Sequence, residues 1–164
     1  MIRPIDIGLI STTLLLALVL SVLRLPLGSP EVFAWLRPGW VVLVLLYWVI
    51  TLPQWVGIVT CWCVGLLVDV LLGAPLGINA IAFSVMAYGA RNLYERFRMF
   101  SLLQQAAVVL LPVLLTDLLG FWALAVTRDL SWNWWMLLPS IVSALVWPPL
   151  YLALRWLTVR FETA

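Results

Sequence analysis

Histidine and lysine are absent from this 164-residue chain, and all nine basic residues are arginine. Without them there is no imidazole for acid–base catalysis or metal binding, no Schiff-base amine and no P-loop lysine. Charge of either sign is scarce, nine basic and seven acidic residues leaving a net +2. That balance offers no electrostatic footprint for nucleic acid. Cysteine is limited to Cys61 and Cys63. Two positions apart on a helix they face roughly opposite sides, so a shared metal or disulfide is not expected and both read as small apolar fillers. No Ser/His pair, metal-ligand cluster or phosphate loop is present in what is left, and no cofactor site is expected. Polar surface is also missing. The chain is 65% hydrophobic and 10% charged, against about 45–50% and about 25% for an ordinary soluble domain. A soluble enzyme, a disordered tail, a coiled coil and a disulfide scaffold are all excluded, and a multi-span membrane protein remains.

The few charges serve as a ruler along residues 1–164, which read as one polytopic membrane domain. A crossing needs about 20 apolar residues, and in hydrocarbon each must be a helix because no water satisfies the backbone. The N-terminus, Met1-Ile2-Arg3 and then an apolar run, lacks a small-x-small cleavage site, and Leu25-Pro26 follows Arg24. A retained first span over 5–23 is therefore expected. Later spans fall at 101–126 and 136–157, the last with Pro148-Pro149 inside it, where a kink or local unwinding is expected. Between Pro38 and Ala90 the one charge is Asp69. Read as one helix, residues 38–72 would be about 50 Å long, which overshoots the bilayer. A break at Pro53-Gln54, and another at Gly73-Ala74-Pro75-Leu76-Gly77, gives spans over 36–52, 55–72 and 77–90.

Arginine placement orients these spans. With six crossings and both termini cytoplasmic, six arginines lie inside (Arg3, Arg91, Arg96, Arg98, Arg155, Arg160) and three outside (Arg24, Arg37, Arg128). A five-crossing alternative with the N-terminus outside divides them seven to two, but requires the overlong helix. The tryptophans suit six. Trp35, Trp40, Trp48, Trp55, Trp132, Trp134, Trp135 and Trp156 fall near span ends, where an indole is buried and its N–H wet. Trp62, Trp122 and Trp147 lie deeper and read as packing residues. Residues 129–135 have the pattern of a segment lying flat on the outer surface.

Two carboxylates interrupt apolar helices. Asp69 stands in Leu66-Leu67-Val68-Asp69-Val70-Leu71-Leu72-Gly73, and Asp117 in Leu114-Leu115-Thr116-Asp117-Leu118-Leu119-Gly120. A charge at mid-membrane costs about 2.5–3.5 kcal/mol on insertion scales. Three readings are open. Each Asp is structural, paired inside the bundle with Arg37, Arg128, Asn79 or a backbone group. Or it accepts hydrogen bonds from a partner's membrane helix. Or the pair forms an intramembrane aspartyl protease, although the Gly-x-Gly-Asp and Tyr-Asp motifs of such enzymes are absent. Gly57, Cys61 and Gly65 recur every four residues and form a smooth stripe, against either a neighbour in this chain or a partner's helix. Gly73 and Gly77 read as helix terminators at a tight turn. The segment Arg91-Asn92-Leu93-Tyr94-Glu95-Arg96-Phe97-Arg98 reads as a positive-inside anchor on anionic membrane lipid, or as a docking site for a cytoplasmic partner.

Read together, these segments resemble the rod shape-determining protein MreD family in its short Gram-negative form. The likeness is carried by Arg37-Pro38-Gly39-Trp40 leading into Leu45-Leu46-Tyr47-Trp48 and Leu52-Pro53. It continues with Gly65-x-x-x-Asp69-x-x-x-Gly73-x-x-Leu76-Gly77, Ala87-Tyr88 and Gln104-Gln105-Ala106, then Asp117 with Phe121-Trp122, and Leu145-Val146-Trp147-Pro148. The resemblance implies a multi-pass protein of the bacterial inner membrane, all-α, with about six transmembrane helices and no enzymatic activity. It implies work in the machinery that elongates the lateral cell wall, as a scaffold beside MreC, MreB, and RodA with its penicillin-binding transpeptidase partner. It also implies a fold similar to the substrate-binding subunits of energy-coupling-factor transporters, which makes a small-molecule (vitamin-like) binding subunit the rival function. For the scaffold, a groove presenting small residues and Asp69 to MreC is the expected contact.

Overall fold

The computed structural model describes residues 4–23, 38–97, 99–127 and 137–162. Among these residues six helices follow one another: α1 (Pro4–Val22), α2 (Trp40–Thr51), α3 (Ile58–Leu72), α4 (Ile78–Phe97), α5 (Leu102–Thr127) and α6 (Leu138–Glu162). Leu102–Trp122 and Leu138–Arg160 are long and apolar enough to cross a membrane, while the apolar parts of α1, α2 and α3 are shorter.

Helix boundaries follow local chemistry. Pro53 opens a turn in which the Leu52 carbonyl accepts from the Trp55 and Val56 amides at 3.0 and 3.1 Å, so α3 starts later than the span expected from Trp55. Gly73 ends α3 in the left-handed conformation, φ 65°. The Ala74 amide then reaches back to the Asp69 carbonyl at 2.9 Å, a Schellman-type closure. A capping box opens α5: the Ser101 amide donates to Gln104 Oε1 at 3.0 Å, and the Gln104 amide donates to Ser101 Oγ at 3.4 Å. The fourth helix does not stop at Ala90. It runs on to Phe97 because residues 91–97 contain no Gly or Pro and include good helix formers. The last helix stays helical through Pro148-Pro149, without the unwinding expected there. It is held on both sides of the prolines, where Trp147 is buried and Tyr151 packs on Tyr47 at 5.6 Å.

Helix α2 is the pillar of the bundle. Every residue from Val41 to Ile50 is buried, and the helix touches α1, α4, α5 and α6. Lipid tails are as apolar as leucine, so burying leucine against leucine drives little association here. Close packing and interhelical hydrogen bonds carry it instead. One such bond lies at the start of α2 and two lie side by side toward its end. The Gly39 amide donates to Ser143 Oγ at 2.9 Å. Trp48 Nε1 donates to Thr13 Oγ1 at 2.9 Å, and Thr13 in turn donates to the Leu9 carbonyl at 2.7 Å. Tyr47 and Thr158 share a 2.8 Å hydroxyl contact, and because Thr158 donates to the Leu154 carbonyl, Tyr47 is the donor. Trp48 is thus a core residue, not the membrane-interface anchor its place beside Pro53 suggested. The opposite correction applies to Trp62 and Trp122, 46% and 67% exposed on the outside of the bundle.

That outside is apolar all round. Val59, Val70, Leu103, Leu111, Leu145 and Val126 are all strongly exposed. A water-soluble monomer rarely shows so much contiguous apolar surface. Among the described residues no buried side-chain nitrogen or oxygen lacks a hydrogen-bond partner, as an apolar solvent demands. Successive helices alternate in direction. Ser21, Trp40, Leu72, Asn79 and Asp117 line one cleft and define the Asp117 end. At the other end, here the Arg155 end, Thr51 and Thr158 share a cleft.

Candidate functional site

The α3–α4 hairpin is assembled around Asp69, which has no exposed surface. Its Oδ2 accepts the Gly77 amide at 2.8 Å, and its Oδ1 accepts the Asn79 amide at 3.1 Å and Asn79 Nδ2 at 2.8 Å. Two of these donors are backbone N–H groups at the start of α4 that the helix itself cannot satisfy. Asp69 is therefore the cap of a helix that begins nine residues later in the chain, and a carboxylate there also meets the positive end of that helix dipole. Gly77, at φ 102°, presents its amide from a conformation that favours glycine. One turn before Asp69, a Cβ on Gly65 would lie 2.4 Å from Ala80 Cα. The two backbones cross there, and only glycine fits. Cys61, Gly65 and Asp69 are all buried, so α4 fills the groove expected along this face of α3. Gly57 stands apart, preceding α3 with open space around its Cβ position.

Asp117 sits differently. It is half-buried, and Ser140 Oγ donates to its Oδ2 at 2.6 Å across the α5–α6 contact. It lines a cleft of 260 Å³ with Asn79, Thr116 and the start of α2. Most of the remaining wall is apolar, including Val42, Val68, Leu72 and Phe83. The two carboxylates have separate partners, Asp69 at the start of α4 and Asp117 on α6. Arg91 and Arg96 are exposed on the last turns of α4. Pro53 lies in the turn between α2 and α3. Arg37, Arg98 and Arg128 lie outside the residues whose side chains are described. Among the described residues there is no group of His, Cys, Asp or Glu able to hold a metal.

The residues that reading by type passed over are hydroxyls. Ser140, Ser143, Thr13 and Thr158 each bridge two helices, and nothing in a run of apolar neighbours distinguishes them from filler. A faint signal was available in the three-residue step between Ser140 and Ser143, which puts both on one face of α6.

The described residues, helical between short turns, apolar outward and hydrogen-bonded inward, have the make-up of a helical membrane protein. Comparison with known proteins specifies which kind. The family profile of the rod shape-determining protein MreD matches residues 4–157, and the chain belongs to that family. It is 35% identical to the rod shape-determining protein MreD of Haemophilus influenzae over 140 residues, covering 85% of this chain and 84% of the relative. No solved structure matches. The family is defined by the determination of rod shape and is not known as an enzyme family.

Proposed function

We propose that this chain is a non-catalytic scaffold of the cell-wall elongation machinery. It sits in the bacterial inner membrane, crosses it six times with both termini cytoplasmic, and holds MreC through helix and loop contacts. MreB, and RodA with its transpeptidase partner, are engaged directly or through MreC. The observation that carries the proposal is the family match over nearly the whole chain. Two structural features support it. Helices alternate in direction, so the charge-poor turns at Pro53 and at Gly73–Gly77 fall at opposite ends of the bundle. The carboxylates are each engaged in a contact between helices.

Because α4 covers Asp69 and Gly65, the contact with MreC is better sought on surfaces that remain open. These are the outer face of α3, with Val59, Trp62 and Val70, and the cleft beside Asp117. Affinity capture of the tagged full chain from detergent-solubilised native membranes tests this. MreC is expected to remain with the chain, and bulky polar substitution at Trp62 or Val59 is expected to release it. Recovery of the chain free of MreC from cells in which it supports rod shape would contradict the proposal. The rival reading, a small-molecule binding subunit, is favoured by one observation, the Asp117 cleft with Asn79 and Thr116 on its wall. It requires a retained small molecule in the purified protein, which mass spectrometry detects.

A further inference from the structure

At the Arg155 end, a cleft of 400 Å³ opens between α2 and α6, lined by Tyr47, Thr51, Tyr151, Arg155 and Thr158. A surface made to meet acyl chains alone has no use for that lining. The Tyr47 and Thr158 hydroxyls are engaged with each other. Among the described residues neither the Arg155 guanidinium nor the Tyr151 hydroxyl has a hydrogen-bond or ion-pair partner. Tyr151 is held in place by its ring contacts with Tyr47 at 5.6 Å and Trp147 at 5.8 Å. A planar guanidinium beside a fixed phenol suits two oxygens of one phosphate. Ile50 closes this cleft on its inner side, and the same Ile50 borders a second cavity of 320 Å³ between α2, α4 and α5. That second cavity is apolar, walled by residues such as Met86, Val108 and Leu111. A polar, cationic cleft thus shares a wall with an apolar one.

We infer that this pair of cavities is a binding site for an anionic phospholipid, its headgroup phosphate on Arg155 and Tyr151 and one acyl chain in the apolar cavity past Ile50. The chemistry disfavours a zwitterionic lipid, since its ammonium would accompany the phosphate to Arg155 and the cleft lining holds no acidic side chain to receive it. It also excludes a free phosphate as the full ligand, since the second cavity offers that ion nothing. Arginine at the cytoplasmic face attracts anionic lipid in general, but a built site discriminates among arginines. Arg160, which lies over the Trp156 ring at 4.9 Å, is not part of it.

Native mass spectrometry of the full chain in non-ionic detergent, titrated with phosphatidylglycerol, phosphatidylcholine or inorganic phosphate, tests the site. Phosphatidylglycerol is expected to give a saturable single adduct, with phosphatidylcholine and phosphate weaker by about tenfold or more. Arg155→Gln is expected to weaken the adduct by a similar factor, Tyr151→Phe by less, and Arg160→Gln hardly at all. Equal binding by Arg155→Gln, equal binding of phosphatidylcholine, or competition by millimolar phosphate would each overturn the inference. A second measurement does not depend on variants. Phosphatidylglycerol with a photoreactive acyl chain, incorporated into membranes holding the unaltered protein, should label α2, α4 or α5 around Ile50, Met86 and Val108. Labelling spread evenly over the outer faces of α1 and α3 would equally overturn it.

Discussion

Asp69 and Asp117 lie in nearly the same words of sequence, each between pairs of leucines with a glycine close behind, yet the structure treats them as opposites. Asp69 has no exposed surface and three donors, and all three come from the ten residues that follow it. Asp117 is half open, with one serine from a helix 23 positions away. The flanking leucines do not set the difference. The chain that follows does. After Asp69 come Gly73 and Gly77, which turn it back at once and aim two amides at the carboxylate. After Asp117 the helix continues for ten residues to Thr127. In a solvent where hydrocarbon is equally available inside and outside the protein, a carboxylate is secured by the donors the fold brings to it.

The sharpest way to break this comparison is to remove each carboxylate in turn. Asp69→Ala leaves two amides at the start of α4 and the Asn79 side chain without an acceptor. At about 1–3 kcal/mol for each orphaned buried donor, a loss of about 4 kcal/mol in reversible unfolding from mixed micelles is expected, or failure to accumulate in the membrane. Gly65→Val comes next. Its side chain meets the Ala80 backbone, which cannot yield like a side chain, so about 3 kcal/mol of overpacking is expected, together with a shift of α4 visible as altered crosslinking between α3 and α4. Gly73→Val forces a branched side chain into the left-handed region at about 1–2 kcal/mol, measured by the same unfolding. Asp117→Ala is expected to change stability by about 1 kcal/mol or less, because Ser140 is then free to turn back on its own helix as Ser143 does with the Pro139 carbonyl at 2.6 Å. If Asp117→Ala proved as damaging as Asp69→Ala, the contrast between the two sites would be wrong. The smallest effect belongs to Tyr47→Phe, which removes one hydroxyl bond between α2 and α6 and should cost about 0.6 kcal/mol.

Much of the architecture was legible because charge and punctuation are sparse. Proline at 53 and glycine at 73 and 77 mark helix ends, since one lacks an amide and the others allow the left-handed turn, and the observed helices break there. The end of α4 is not legible from charge, because arginine marks where an apolar span stops and not where a helix does. A helix needs no such boundary and continued to Phe97. Facing was the least legible property. In water, polar residues mark the outside, but here Trp48 is buried and Trp122 exposed while both sit among leucine and valine. Hydropathy carries no contrast between lipid and core, so the inward face shows itself by small residues and lone hydroxyls. Gly65 and Asp69 gave that signal together. Thr13 and Thr158 give it singly, Ser140 and Ser143 only as a faint pair, and the Arg155 cleft, built from residues on two helices distant in sequence, gives none.

The most direct test of the scaffold account asks whether either carboxylate does chemistry. Cells depleted of their own MreD would be supplied with Asp69→Asn or Asp117→Asn, and cell width measured against the amount of each variant in the membrane. The account predicts that rod shape follows abundance alone: Asp117→Asn restores rods at the level of the unaltered chain, and Asp69→Asn does so in proportion to how much accumulates. Round cells containing either variant at full abundance, with MreC still bound, would show that a titrating carboxylate is required and would contradict the account.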